Sequence, residues 1–185
     1  LSPRRRSSIH QRNIETRNGS DLVLKQYVWG VDYVDQLVQV AVNNDPTDVT
    51  EDDVETFYWA LHDAQYNVIG LVDDAGTMVE RYEYTPYGER SVYYSAGADD
   101  PLTMSPTSMS RRIELGGVEQ PYGLCEIGSQ GLFHDEETEL TYNNARYRLP
   151  RMGRFLQRDP LGYVDGLNLY EGLRSNPVNL LDPAK

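Results

Sequence analysis

Between Phe57 and Arg90 the sequence alternates short aromatic or apolar runs with turn residues in steps of about a dozen, a cadence that restricts the chain to strands joined by hairpins. Phe57-Tyr58-Trp59-Ala60-Leu61 precedes Asp63-Ala64-Gln65-Tyr66-Asn67, and Val68-Ile69-Gly70-Leu71-Val72 precedes Asp73-Asp74-Ala75-Gly76. Asp side chains can hydrogen-bond to nearby backbone, and Gly can take the positive φ that a tight hairpin demands. From Met78 to Tyr84 the pattern has period two, so Met78, Glu80, Tyr82 and Tyr84 share one face, and Val79, Arg81 and Glu83 the other. Thr85-Pro86-Tyr87-Gly88 closes the unit, because Pro cannot donate to the ladder of a central strand. The expected fold class is all-β, a meander or repeat architecture.

Around this stretch the chain divides into four parts. Residues 1–20 are polar, basic and without hydrophobic period, and read as a disordered or truncated lead-in. Residues 21–93 carry the hairpins, with earlier strand-like runs at Leu22-Val23-Leu24, Gln26–Trp29 and Asp35–Val42 and an acidic loop containing Pro46. Residues 94–131 are rich in Gly, Ser, Pro and acids and read as an irregular insert, a surface excursion or a linker. Patterned sequence returns over residues 132–185, where Asp159-Pro160-Leu161-Gly162 is partly repeated as Asp182-Pro183-Ala184-Lys185. At 185 residues beginning with Leu1, the chain has the size of one domain or a piece of a larger protein.

Composition narrows function. Fourteen Tyr against three Phe, in a chain 39% hydrophobic, call for a β-rich interior whose rings carry polar tips. No run approaches the ~18 apolar residues of a membrane helix, so membrane insertion by this segment is not expected. One Cys and three scattered His offer neither a disulfide framework nor metal-ligand spacing, and no motif calls for a cofactor. A net charge of -12 argues against nucleic acid as a partner. Against that background residues 146–158 hold five Arg and no acid.

The run Val79-Glu80-Arg81-Tyr82-Glu83-Tyr84-Thr85-Pro86-Tyr87-Gly88 resembles the Tyr-Asp repeat of RHS (rearrangement hot spot) proteins, with Thr85 where Asp is usual before Pro. Several pieces in order resemble the RHS repeat-associated core: Asp135-Glu136-Glu137-Thr138, Ala145-Arg146-Tyr147, Gly153-Arg154-Phe155, Asp159-Pro160-Leu161-Gly162, Gly166-Leu167-Asn168-Leu169-Tyr170, Asn176-Pro177-Val178-Asn179 and Asp182-Pro183. The resemblance covers roughly residues 22–92 and 131–183. It implies Tyr-Asp repeat β-hairpins wound as the terminal turns of a hollow shell, with the irregular C-terminal segment as its plug. It also implies partners, namely the rest of the parent shell and an effector beyond Lys185, and a secreted or cell-surface location. In cleaving members of the family the core is an aspartyl self-protease that cuts just after the second Asp-Pro-x-Gly.

Cleaving a peptide bond needs an acid and a base in reach, which two carboxylates can supply. Carried over by motif position, the resemblance implies Asp159 as the catalytic carboxylate and Arg146 as the accompanying arginine able to stabilise an oxyanion, with Asp182 the candidate second carboxylate. Arg148, Arg151 and Arg154 have a simpler reading as partners of acids in the shell wall. Lys185 stands where the family's second motif carries Gly, which favours an alternative, a non-cleaving secreted or cell-surface structural or adhesive repeat protein. A third reading, a carbohydrate-binding or hydrolytic domain, would use Asp135, Glu136 and Glu137 as an acid cluster and Tyr142, Tyr147, Tyr163 and Tyr170 as a stacking platform for a carbohydrate ligand. Their plainer readings are a solvated turn and sheet packing. Asn18-Gly19-Ser20 matches a glycosylation sequon within the lead-in, and Cys125 reads as an incidental thiol.

Overall fold

The structure is a computed structural model that describes residues 4–7, 13–31, 35–43, 56–94, 105–107, 113–115, 118–120, 124–135, 138–143, 146–164 and 166–180. A nine-stranded antiparallel sheet holds its strands in chain order: β1 (Arg4–Ser7), β2 (Asn13–Arg17), β3 (Val23–Trp29), β4 (Leu37–Val42), β5 (Thr56–His62), β6 (Val68–Val72), β7 (Met78–Tyr84), β8 (Arg90–Tyr94) and β9 (Ser105–Thr107). A short pair, β10 (Ile113–Leu115) and β11 (Val118–Gln120), follows. A second antiparallel sheet comprises β12 (Phe133–Asp135), β13 (Leu140–Asn143), β14 (Arg146–Leu149) and β15 (Arg154–Phe155). The all-β expectation holds, and among the described residues the only helical pieces are three-residue 3-10 turns. The lead-in differs from expectation: β1 and β2 are paired strands, with Thr16 buried beside β3, because β3 offers a ladder for their backbone groups.

Register explains the core. Tyr27, Val40 and Tyr58 line up across β3–β5, and Ala60, Leu71 and Glu80 across β5–β7, so one side chain in two meets its neighbours on the same face. The period-two reading of β7 is correct, with Glu80 and Tyr82 buried and Glu83 exposed. Leu124, Cys125, Ile127 and Phe133 pack against Tyr27, Leu37, Val40, Val42, Val68, Leu71 and Tyr82 in a single cluster. Each such side chain stabilises by roughly 1.5 to 3 kcal/mol relative to leaving it exposed. Residues 124–131, at the end of the stretch read as an irregular insert, are therefore core rather than surface.

Polar side chains hold that crossing segment residue by residue. The Glu80 carboxylate, 1% exposed, accepts the Leu124 N–H at 2.9 Å and the Tyr82 hydroxyl. Arg90 Nη1 donates to the Cys125 carbonyl at 2.7 Å, and the Tyr27 hydroxyl donates to Glu126 at 3.2 Å. Lys25, almost fully buried, lies 3.9 Å from the same Glu126 carboxylate. Burial pushes Glu80 up, while the Tyr82 and Leu124 hydrogen bonds and the charges of Arg90 and Lys25 pull the other way. The Cys125 thiol is pushed up to about 12, mainly by burial, which leaves it unreactive and part of the packing.

The hairpin loops share one construction. In Asn18–Leu22, Asp63–Asn67, Asp73–Thr77 and Thr85–Glu89 the first residue's carbonyl accepts the fourth residue's N–H, and its side-chain oxygen accepts the fifth's. The fourth residue takes positive φ each time: Asp21 68°, Tyr66 58°, Gly76 80° and Gly88 89°. Thr85 does through Oγ1, at 3.1 Å to the Glu89 N–H, what Asp does elsewhere, so the departure from Asp preserves the turn. Thr85→Val is expected to lose about 1 kcal/mol, read as a lower urea midpoint, and Thr85→Asp to match or exceed wild type.

Candidate functional site

The second sheet brings Arg146 and Asp159 together. Arg146 lies on β14, antiparallel to β15, and its guanidinium stacks over the Phe155 ring at 3.7 Å from the centroid. From there Nη1 reaches Asp159 Oδ2 at 2.8 Å, with the two side chains 14% and 15% exposed. Asp159 opens a turn: its Oδ1 accepts the Leu161 N–H at 2.8 Å, its carbonyl accepts the Gly162 N–H at 3.0 Å, and Gly162 has φ 68°. Pro160 supplies the fixed φ that such a turn wants at its second position. The turn is pinned from behind, since the Asp159 N–H donates to the Leu169 carbonyl and the Phe155 N–H to that of Tyr170, both at 2.9 Å. Asn168 makes a matching turn, its Oδ1 accepting the Tyr170 N–H at 3.2 Å. The family motifs around Asp159 and Asn168 are thus two side-chain-capped turns laced together, presenting one carboxylate against one arginine.

Three other arginines of the island make structural contacts. Arg151 faces Glu139 at 3.8 Å on the surface, and Arg154 sits over the Tyr170 ring at 5.6 Å. Arg148 is fully buried, close to the Gly88 turn. Asp182, the second carboxylate suggested by the sequence, lies outside the described residues, as do Glu136 and Glu137. Tyr142 and Tyr147 face each other across β13 and β14 with ring centroids 5.2 Å apart, so this pair is sheet packing. Among the described residues no three His, Cys, Asp or Glu groups converge as a metal set. No helix among them is long and apolar enough to cross a membrane.

Sequence reasoning passed over Phe155 as the platform for Arg146, although an aromatic two residues past a glycine turn is the available signal. It also passed over His134, on β12 beside the arginines. Burial, then the charges of Arg90 and Arg148, pushes His134 down to about 3. An unfolded His titrates near 6.5, so between about pH 6.5 and 3 the unfolded chain binds a proton that the folded chain does not. Stability is expected to fall as pH falls through that window, by about 3 kcal/mol at about pH 4, and to be independent of this group above it. Urea midpoints across the window check this, and His134→Gln is expected to flatten the slope.

No family model matches the sequence. Among curated proteins the chain is 32% identical over 139 residues to toxin subunit YenC1 of Yersinia entomophaga, across 75% of this chain and 12% of that protein. It is 43% identical over 65 residues to toxin protein Tse5 of Pseudomonas aeruginosa, across 35% of this chain and 5% of that protein. The chain belongs to the RHS-repeat family. Among solved structures, the crystal structure of TcdB2-TccC3-TEV superposes on 91% of this RHS chain and 7% of its own, with a TM-score of 0.60 at 24% identity, which shows the fold. This RHS chain therefore spans a small fraction of the length of the curated relatives it matches.

Proposed function

We propose that the chain is the closing segment of an RHS shell and that Arg146 and Asp159 take part in self-cleavage near residue 185, freeing or presenting an effector that follows. The observation that carries this reading is the Arg146–Asp159 pair, held at 2.8 Å inside a capped Asp-Pro-Leu-Gly turn and largely withdrawn from water. A carboxylate so held acts as the base for water: the proton passes to Asp159, the water oxygen bonds to the scissile carbonyl carbon, and the adduct carries an oxyanion beside the guanidinium. Collapse breaks the C–N bond, and the leaving nitrogen takes a proton from a second carboxyl, the role assigned to Asp182. Relatives named as toxin components support an effector, action outside the producing cell and assembly with the remainder of an RHS shell.

A second reading, a non-cleaving structural RHS protein of the cell surface, draws on Lys185 in place of Gly. Intact mass decides between them. With the native continuation or a tagged reporter beyond Lys185, cleavage of wild type but not of Asp159→Asn supports self-cleavage. Wild type staying whole supports the structural reading.

A further inference from the structure

A groove of about 480 Å³ runs beside the Asp63–Asn67 loop, bordered by Gln65, Asn67, Tyr84, Ser129 and Gln130, and the chain's own Val178 lies at its edge. Two glutamines there grip main chain. Gln65 Nε2 donates to the carbonyls of Pro177, at 3.3 Å, and Val178, and Gln130 Nε2 donates to that of Leu180 at 3.3 Å. Only the amino end of a carboxamide can face a carbonyl oxygen, so the partners themselves fix both orientations.

The two grips are built on one scaffold. Asp63 Oδ1 accepts the N–H groups of Gln65 and Asn67 at 2.8 and 3.0 Å, and its Oδ2 accepts Asn67 Nδ2 at 2.6 Å. Asn67 Oδ1 then accepts the Gln130 N–H at 2.8 Å, which ties the loop carrying Gln65 to the turn carrying Gln130. Asn67 and Gln130 are 7% and 3% exposed, and Gln130 holds φ 56°. A buried polar linkage that positions two donors toward one stretch of backbone is costly to assemble unless the stretch is bound.

We infer that Gln65 and Gln130 form a carboxamide clamp that binds a turn of polypeptide through its main-chain carbonyls, with residues 177–180 of this chain as its occupant. The clamp reads carbonyls, which every residue carries, so it sets the path of the chain without selecting its side chains. Asp182 is two residues beyond the last gripped carbonyl in sequence. Resting on the self-cleavage reading above, Gln65 and Gln130 are positioning residues that aim the chain for the cut.

Amide exchange and cleavage test this together in the chain extended beyond Lys185. The Asn179 and Leu180 N–H groups both donate to the Asn176 carbonyl, at 3.3 and 3.2 Å, so their protection reports whether the segment is held. Gln65→Glu removes the donor in a half-exposed loop and is expected to speed exchange of both amides at least tenfold and slow cleavage at least tenfold. The thermal midpoint is expected to stay within about 2 °C, because hydrogen bonds made by a partly exposed side chain are worth little to global stability. Gln65→Lys, which restores a donor, is expected to recover both. Gln130→Met should repeat the Gln65→Glu result from the other grip. Exchange within twofold of wild type in both donor-free variants would overturn the clamp, and faster exchange with unchanged cleavage would overturn its positioning role. An uncut wild type would remove the self-cleavage reading, and exchange alone would then decide the clamp.

Discussion

With a reporter beyond Lys185, Asp159→Asn is expected to cleave about 10³-fold more slowly than wild type, or not at all, while keeping the same fold. General base catalysis by a positioned side chain contributes typically 10²- to 10⁴-fold, and an amide cannot take the water proton. Asn is the informative substitution because it can still accept the Leu161 N–H, now made to Asp159 Oδ1, so the turn survives. What it loses is the charge opposite Arg146, and a largely buried guanidinium without its counter-ion is expected to cost on the order of 2 kcal/mol. Arg146→Lys separates charge from shape: it keeps the cation but gives up the planar stack on Phe155, and should cut more slowly than wild type yet faster than Arg146→Ala. Cleavage time courses followed by intact mass, beside thermal midpoints, would distinguish lost chemistry from lost fold. Equal rates in wild type and Asp159→Asn would remove Asp159 from any catalytic role.

The features legible in the sequence are those whose cause is local. The buried face of β7 follows from period two, and the loops at Asp63, Asp73 and Thr85 follow from residues able to cap a turn. The Asn18 loop has the same cause, yet inside a polar lead-in its Asn-Gly-Ser reads as a sequon or as disorder. The contact of Arg146 with Asp159 is of another kind. Thirteen residues separate them, and a 3-10 turn at Pro150–Met152 with the short strand β15 folds one back on the other. No periodicity encodes that meeting, so family motifs were the sole route to it. Residues 124–131 show the opposite failure. Their Gly, Ser and Gln content reads as loop, whereas their burial is decided by Tyr27, Glu80 and Arg90, which receive Glu126, Leu124 and Cys125 from remote positions. Glu80 itself sits on a face that reads as aromatic and apolar, and its reason for being there is a backbone N–H forty-four residues away.

That remote dependence is sharpest at Gly131, and among the described glycines Gly131→Ala is expected to be the most damaging addition of a methyl. Gly131 has φ 69°, where an L side chain costs about 1 to 2 kcal/mol by itself. A Cβ there would lie 1.9 Å from the Asp35 carbonyl oxygen, 2.8 Å from its carbonyl carbon and 2.7 Å from its Cβ. Backbone cannot rotate away as the end of a flexible side chain can. The turn at residues 128–132 and the approach to β4 would have to separate, disturbing Leu37 and Leu132 on either side. Overpacking of this kind adds typically about 1 to 3 kcal/mol, occasionally more, so the sum reaches the lower end of the roughly 5 to 15 kcal/mol by which domains are stable. Gly76→Ala is the matched control: φ is 80°, nothing lies within 4 Å of its Cβ, and only the conformational cost of about 1 to 2 kcal/mol is expected. Urea denaturation of the two proteins side by side should show a cooperative transition at a lowered midpoint for Gly76→Ala and loss of most of the transition for Gly131→Ala. Equal losses would mean that residues 128–132 do not seat against Asp35, and that the segment carrying Gln130 is held more loosely than its buried hydrogen bonds require.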